Sequence, residues 1–256
     1  MDEFILFAVV GFAAQLVDGA LGMGYGVVCS SVLLALGVSP AAVSAAVHAS
    51  KTFTGAASAA SHGLYRNVHW KLLWPLSVGG ALGAVLGTFV LTSLDGDKVK
   101  PFVVAWLALM GLVILWRAWK GAKPPPTPFK SPGPLGFAGG FLDALGGGGW
   151  GPTVTTTLVG AGTEPRLAIG TSNTAEFIVA AVVSGAFVVA MLTGHWRDTE
   201  GLGDYAWAVG GLVAGGVVAA PLAGWLTKAL PTRGLTWFVA LLVLGLAGWQ
   251  AFGMLK

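Results

Sequence analysis

The sequence predicts an all-α polytopic membrane protein made of two inverted repeats, each a broken, re-entrant helical hairpin followed by three full transmembrane helices. Three observations predict it. Apolar residues make up 55% of the 256 positions and charged residues only 10%, where a soluble surface needs about 25% charge. Apolar runs of about 20 residues, enough to span a bilayer as helix, recur along the chain without the alternation of strands. The two halves also repeat one another at an offset of 125 residues.

The first apolar run, residues 4–20, follows Met1-Asp2-Glu3. A cleavable leader carries positive charge there, so this segment is expected to be retained. It meets the turn Gly19-Ala20-Leu21-Gly22-Met23-Gly24-Tyr25-Gly26, and a short run to Leu36 follows. About 11 residues at 1.5 Å each cross only half a membrane, hence a hairpin that enters and turns back within protein. Irregular backbone at that depth is tolerated where it is buried or lines a cavity. Full helices are expected over 41–62, 70–91 and 101–119. The second half repeats the plan: 134–145, the turn Gly146-Gly147-Gly148-Gly149-Trp150-Gly151-Pro152, a short run to Gly162, then 166–193, 204–226 and 233–253.

Sliding the chain by 125 residues aligns 11–62 with 136–187 at eleven identical positions without a gap. Asp18 meets Asp143, Pro40 meets Pro165, and Gly22, Gly24 and Gly26 meet Gly147, Gly149 and Gly151. Apolar coincidence supplies Ala and Leu matches, not paired Asp, paired Pro and a glycine ladder. Gly79, Gly83 and Gly87 step by four, as do Gly211, Gly215 and Ala219, a spacing that lets helix backbones approach closely.

The repeats occupy 1–119 and 134–256, joined by a Pro-rich basic linker over 120–133. With Arg117 counted, its bases are Lys120, Lys123 and Lys130 besides, and it carries no acid. By the positive-inside rule the linker is cytoplasmic. An odd number of crossings per half then inverts the second copy. That topology puts nine bases inside (Arg66, Lys71, the four of the linker, Arg166, Lys228, Arg233) and four outside (Lys98, Lys100, Arg197, Lys256). Counting each broken region as one crossing makes the repeats parallel and the split eight to five. Inverted repeats on discontinuous helices are a plan of secondary transporters.

Ionisable groups inside membrane segments are costly and therefore functional candidates. They are Asp18, Asp143, His48, Lys51 and Glu176. Lys51 and Glu176 are equivalent positions, and an in-plane two-fold axis would bring these opposite charges together. Two readings stand: an ion pair that fixes helix register, or a substrate-binding cation beside a titratable, proton-coupling carboxylate. Thr171, Ser172 and Asn173 place hydroxyls and an amide where a sulfonate or carboxylate needs donors, or serve helix–helix hydrogen bonding. Asp18 and Asp143 precede the glycine turns and suit capping of the following half-helix, with proton coupling as the alternative. The turns at Gly24 and Gly149 present N–H groups to an anion, with Tyr25 and Trp150 as pocket walls or space-fillers. Trp70, Trp74, Trp116, Trp119, Trp196 and Trp207 fall near segment ends and read as an interfacial belt.

No Walker loop, zinc-ligand spacing or Gly-x-Ser-x-Gly elbow occurs, so neither ATP drive, a metal centre nor hydrolase chemistry is indicated. A net charge of +3 and the single Cys29 argue against nucleic-acid binding and against an intramolecular disulfide. No cofactor is expected.

The stretch Gly136-Phe137-Ala138-Gly139-Gly140-Phe141-Leu142-Asp143-Ala144, the four glycines after it and Pro152 resemble the repeat signature of the TauE/SafE family of sulfite exporters and toluenesulfonate-uptake proteins. Ala46 to Phe53 and Gly170 to Phe177 resemble its second motif in each half, and Ser61-His62-Gly63 through Asn67-Val68-His69-Trp70 continues the pattern. The resemblance spans nearly the whole chain. It implies an inner-membrane, multi-pass carrier of small sulfur-containing anions such as sulfite, sulfoacetate or other organosulfonates, with the lipid bilayer and the anion as partners. It leaves direction, coupling ion and oligomeric state open. The family pattern often has an acid where Lys51 stands, and a lysine there suits an anion better than a two-carboxylate mechanism.

The resulting expectation is a proton-linked secondary transporter, not an enzyme. Lys51, His48, Thr171, Ser172, Asn173, Gly24, Gly149, Tyr25 and Trp150 are its candidate substrate contacts, and Glu176, Asp18 and Asp143 its candidate proton-coupling groups. A carrier for a carboxylate or metal ion is the runner-up, and an intramembrane enzyme or a scaffold the third class.

Overall fold

The computed structural model describes residues 2–120, 129–196, 206–223, 225 and 232–254, and among them there is helix and no strand. Lys123, Arg197, Lys228 and Lys256 of the basic count, and most of the linker, lie outside the described residues. Among the described residues ten α-helices follow in chain order: α1 Asp2–Leu21, α2 Tyr25–Ala35, α3 Pro40–Leu64, α4 Trp70–Ser93, α5 Gly96–Lys120, α6 Pro132–Gly146, α7 Thr156–Gly160, α8 Pro165–Leu192, α9 Ala206–Ala219 and α10 Thr232–Met254. A π-helical turn, Gly151–Thr155, leads into α7, and a 3₁₀ turn, Ala220–Leu222, ends α9 where Pro221 removes a backbone donor.

Five of these helices are long and apolar enough to cross a bilayer: α1 over Phe4–Leu21, α4, α5, α8, and α10 over Thr236–Met254. α3 is as long, 25 residues, but carries His48, Lys51 and a row of hydroxyls, and it is packed between α8 and α9. The broken regions fall where the sequence places them, after Leu21 and after Gly146. At each break a glycine adopts left-handed backbone, φ 67° at Gly22 and 68° at Gly147, a conformation that a Cβ disfavours.

Packing exchanges helices between the halves. α4 lies along α6, and α1 along α9. Both seams are backbone against backbone. A Cβ on Gly83 would strike the carbonyl oxygen of Phe137, one on Gly79 that of Gly133, and one on Gly215 that of Ala8. The contacts are also reciprocal: Gly80 faces Val179 and Trp150, while Gly216 faces Thr54 and Tyr25, the positions equivalent to 179 and 150.

Chain direction is readable from the contacts. α4 starts beside Thr171, whose Oγ1 accepts the His69 N–H at 2.7 Å, and it ends beside His195, which meets Ser93 Oγ at 2.8 Å. α4 and α8 therefore run the same way. α3 and α9 also run the same way, since Thr54 meets Gly216 and Ser61 meets Pro221.

Two expectations are corrected. Trp196 is buried and tilted against Phe187, ring centroids 5.3 Å apart, whereas Trp70, Trp74, Trp116, Trp119 and Trp207 are exposed as a belt requires. Position near a segment end does not say which way an indole turns. Arg117 is not a linker base: α5 continues to Lys120, and the Arg117 side chain turns inward.

Candidate functional site

The two breaks meet at the centre. A Cβ on Gly26 would sit 2.9 Å from Gly148 Cα, and one on Gly151 would sit 2.6 Å from Met23 Cα. These are one contact written twice, once in each half. Thr155 Oγ1 reinforces it by donating to the Gly22 carbonyl at 2.6 Å.

Asp18 and Asp143 bridge the breaks. Each backbone carbonyl accepts from the left-handed glycine, Gly22 N–H at 2.7 Å and Gly147 N–H at 2.6 Å. Each side chain accepts from the first amide beyond, Tyr25 N–H at 3.3 Å and Trp150 N–H at 3.0 Å. This satisfies donors that a helix start leaves without intrahelical partners.

The symmetry stops at the side chains around these aspartates. Asp143 also faces His48 Nε2 at 3.1 Å and Lys51 Nζ at 3.4 Å. Lys51 Nζ further donates to Glu176 Oε1. The positions equivalent to His48 and Lys51 are Asn173 and Glu176, so among the described residues Asp18 forms no ion pair of its own. Asn173 Nδ2 donates to the Asp18 backbone carbonyl at 3.3 Å, and its Oδ1 is buried without a partner. Six side chains that are three pairs by sequence thus form one cluster: two aspartates, His48 with Asn173, and Lys51 with Glu176. All are buried, where an ion pair needs additional hydrogen bonds to offset desolvation.

A cavity of about 20 Å³ touches this cluster, lined by Asp18, Tyr25, Lys51, Asn173, Glu176 and Gln15 among others. Space of that size holds about one water, so the protein stands closed around the centre. A much wider vestibule, about 950 Å³, opens where the α2–α3 turn, the α4–α5 turn and the end of α8 meet, and Ser39, Asp95, Lys100 and His195 lie on its wall. Pro40, at the vestibule, and Lys51 are eleven residues apart on α3, about 16 Å along the helix axis.

The remaining sequence candidates sit around this centre with other partners. Ser172 Oγ accepts from Trp150 Nε1 at 3.0 Å and is hydrogen-bonded to Thr155 Oγ1 at 2.7 Å. Thr171 holds the start of α4, as above. Tyr25 Oη reaches Ser50 Oγ at 3.1 Å and the Leu212 carbonyl at 3.3 Å. Gly24 and Gly149 shape the breaks and do not line the small cavity. Sequence reasoning missed Gln15, Thr54 and Ser58, which do line it. Gln15 was discoverable as the one amide in the first apolar run.

The chain is similar to known proteins over most of its length. The family described as "Sulfite exporter TauE/SafE" matches residues 7–249. The "Probable membrane transporter protein YtnM" of Bacillus subtilis (strain 168) is 41% identical over 235 residues, which covers 89% of this chain and 76% of that protein. No solved structure matches the chain.

Proposed function

The chain belongs to the sulfite exporter TauE/SafE family and is a multi-pass membrane transporter, and on that premise we propose that its cargo is a small sulfur-containing anion, sulfite, sulfoacetate or another organosulfonate, moved across the inner membrane with linkage to protons. The observation that carries this reading is Lys51: a buried ammonium at the meeting point of both breaks, held by Asp143 and Glu176 and bordering a cavity. An arriving oxyanion replaces Glu176 at Lys51, and Glu176, released from its cation, takes a proton. Asn173 offers an amide at the same cavity. His48, Thr171, Ser172 and the amides of the two breaks stand behind it as donors once the centre opens, and Asp18 and Asp143 hold the breaks in register.

The inverted arrangement belongs to the same proposal. Its support is directional. Thr52 Oγ1 meets Ser184 Oγ at 3.2 Å and a Cβ on Gly55 would meet Phe177, so α3 and its repeat partner α8 run oppositely. A two-fold axis in the membrane plane produces that relation.

The test is counterflow in proteoliposomes loaded with sulfite and challenged from outside with sulfite, sulfoacetate, acetate and a divalent cation. Exchange by the sulfur oxyanions, with acetate weaker, is the expected result. Exchange by acetate or the cation alone would replace the proposal with a carboxylate or metal carrier.

A further inference from the structure

Arg117 is a cation that the central site does not use. It lies in the last turn of α5, and helix side chains lean toward the N-terminus of their helix, which here draws the guanidinium deeper into the protein. Its Nη1 meets Thr156 Oγ1 at 3.4 Å and Met23 Sδ at 3.6 Å. Met23 belongs to the first break and Thr156 begins α7, so the guanidinium lies between α5 and the breaks. Guanidinium carries five donors, yet both contacts are to neutral groups, and no carboxylate lies within ion-pair distance among the described residues. Thr156 accepts from Arg117 and keeps its own hydroxyl proton available for donation.

In the other repeat, an uncharged residue lies against the position equivalent to Thr156. Gln250, near the end of α10, donates from Nε2 to the Ser31 carbonyl at 3.2 Å, and Ser31 is the position equivalent to Thr156. The Gln250 Oε1 is buried without a partner. The two places lie toward opposite ends of the helices: α2, which holds Ser31, ends at the wall of the vestibule, whereas α5 begins at that wall and Arg117 lies 21 residues further on, about 30 Å along its axis.

We propose that Arg117 and Thr156 form a second anion-binding station at the end of α5 remote from the vestibule, specific for small oxyanions, and that Gln250 leaves its counterpart on the vestibule side uncharged. The cargo class rests on the transport reading above. Sulfur oxyanions match the planar donor fork of a guanidinium. The consequence is a sided carrier: the anion loads at lower concentration from the face where α5 ends.

The test measures sulfite uptake in everted and in right-side-out membrane vesicles. Arg117→Gln is expected to raise the half-saturating sulfite concentration about tenfold at the α5-end face only, and Arg117→Lys to restore most of it. The maximal rate is expected to hold. Equal changes at both faces, or none at either, overturn the station. A second readout does not depend on sulfite transport. In a Cys29→Ser, Thr157→Cys background, which leaves both station residues in place and puts the thiol at the exposed neighbouring position, sulfate and sulfite are used as probes against labelling by a small thiol reagent. Protection that disappears on adding Arg117→Gln supports the station, and labelling indifferent to both anions with Arg117 intact overturns it. If wild-type vesicles carry no sulfite while protection is seen, the cargo assignment alone fails.

Discussion

Lys51 and Glu176 occupy the same position in the two repeats, 125 residues apart, and they bind each other. Under the proposed two-fold relation between the halves, two equivalent side chains in contact lie at its axis. A duplicated gene starts with the same residue twice at that point, and two lysines or two glutamates there would repel at close range. The opposite charges make the axis tenable in low dielectric, and they also make the two halves chemically unequal.

That inequality gives a prediction for the charge pair. Lys51→Met is expected to abolish sulfite binding in proteoliposomes, and Glu176→Gln to spare binding and flatten the dependence of flux on pH. A purely structural pair behaves otherwise, because well-packed apolar residues can replace a buried ion pair. Near-normal, pH-dependent flux from Lys51→Met with Glu176→Leu would leave the break amides as the anion site.

The two aspartates are expected to differ although they cap alike. Asn keeps an acceptor for the Tyr25 or Trp150 N–H, and Asn is among the good caps, so Asp18→Asn should cost less than about 1 kcal/mol. Asp143→Asn also leaves His48 and Lys51 short of a counter-charge, and breaking a buried pair costs about 3–5 kcal/mol. Thermal melting of the purified variants in detergent decides it, and equal melting temperatures would show that Asp143 does not neutralise Lys51.

The glycine seams are expected to resist enlargement. Gly83→Leu puts a side chain into the Phe137 carbonyl, and Gly215→Leu puts one into that of Ala8. Each forces two helices apart and forfeits many contacts worth about 0.1–0.2 kcal/mol apiece. Low yield and a lowered melting temperature are expected of both, and Gly160→Leu, where the space is open, serves as the control. Wild-type yield and melting temperature from either seam variant would contradict the packing.

For orientation, cysteine labelling in right-side-out vesicles without Cys29 is expected to mark Asp95→Cys, at the vestibule, and to miss Lys130→Cys in the linker. The reverse pattern would turn the molecule over.

Much of this was legible from residues. Both breaks were fixed by their glycines, and the Lys51–Glu176 contact followed from repeat position plus opposite charge. The capping by Asp18 and Asp143 followed from an acid placed just before free amides. Direction of side chains was not legible. Arg117 reads as a linker base because basic residues cluster after it, and only the length of α5 and the neighbouring Thr156 turn it inward. Gln15 carries no spacing signal, and its place beside Lys51 depends on a helix from the other half. Ser172 advertises a hydroxyl for a ligand, yet Trp150 and Thr155 already bond it, and both lie on another element.

The swapped seams also bear on how the protein is made. The glycine faces of α1 and α4 pack against α9 and α6, which leave the ribosome later. Until then, the first half sits in the bilayer with two small-residue grooves facing lipid and with Lys51 lacking both Asp143 and Glu176. Translation therefore delivers a first half whose glycine seams and central lysine are completed by residues of the second. A linker of little more than ten residues keeps the late partner at high local concentration, so the two halves are fused copies that mature as one.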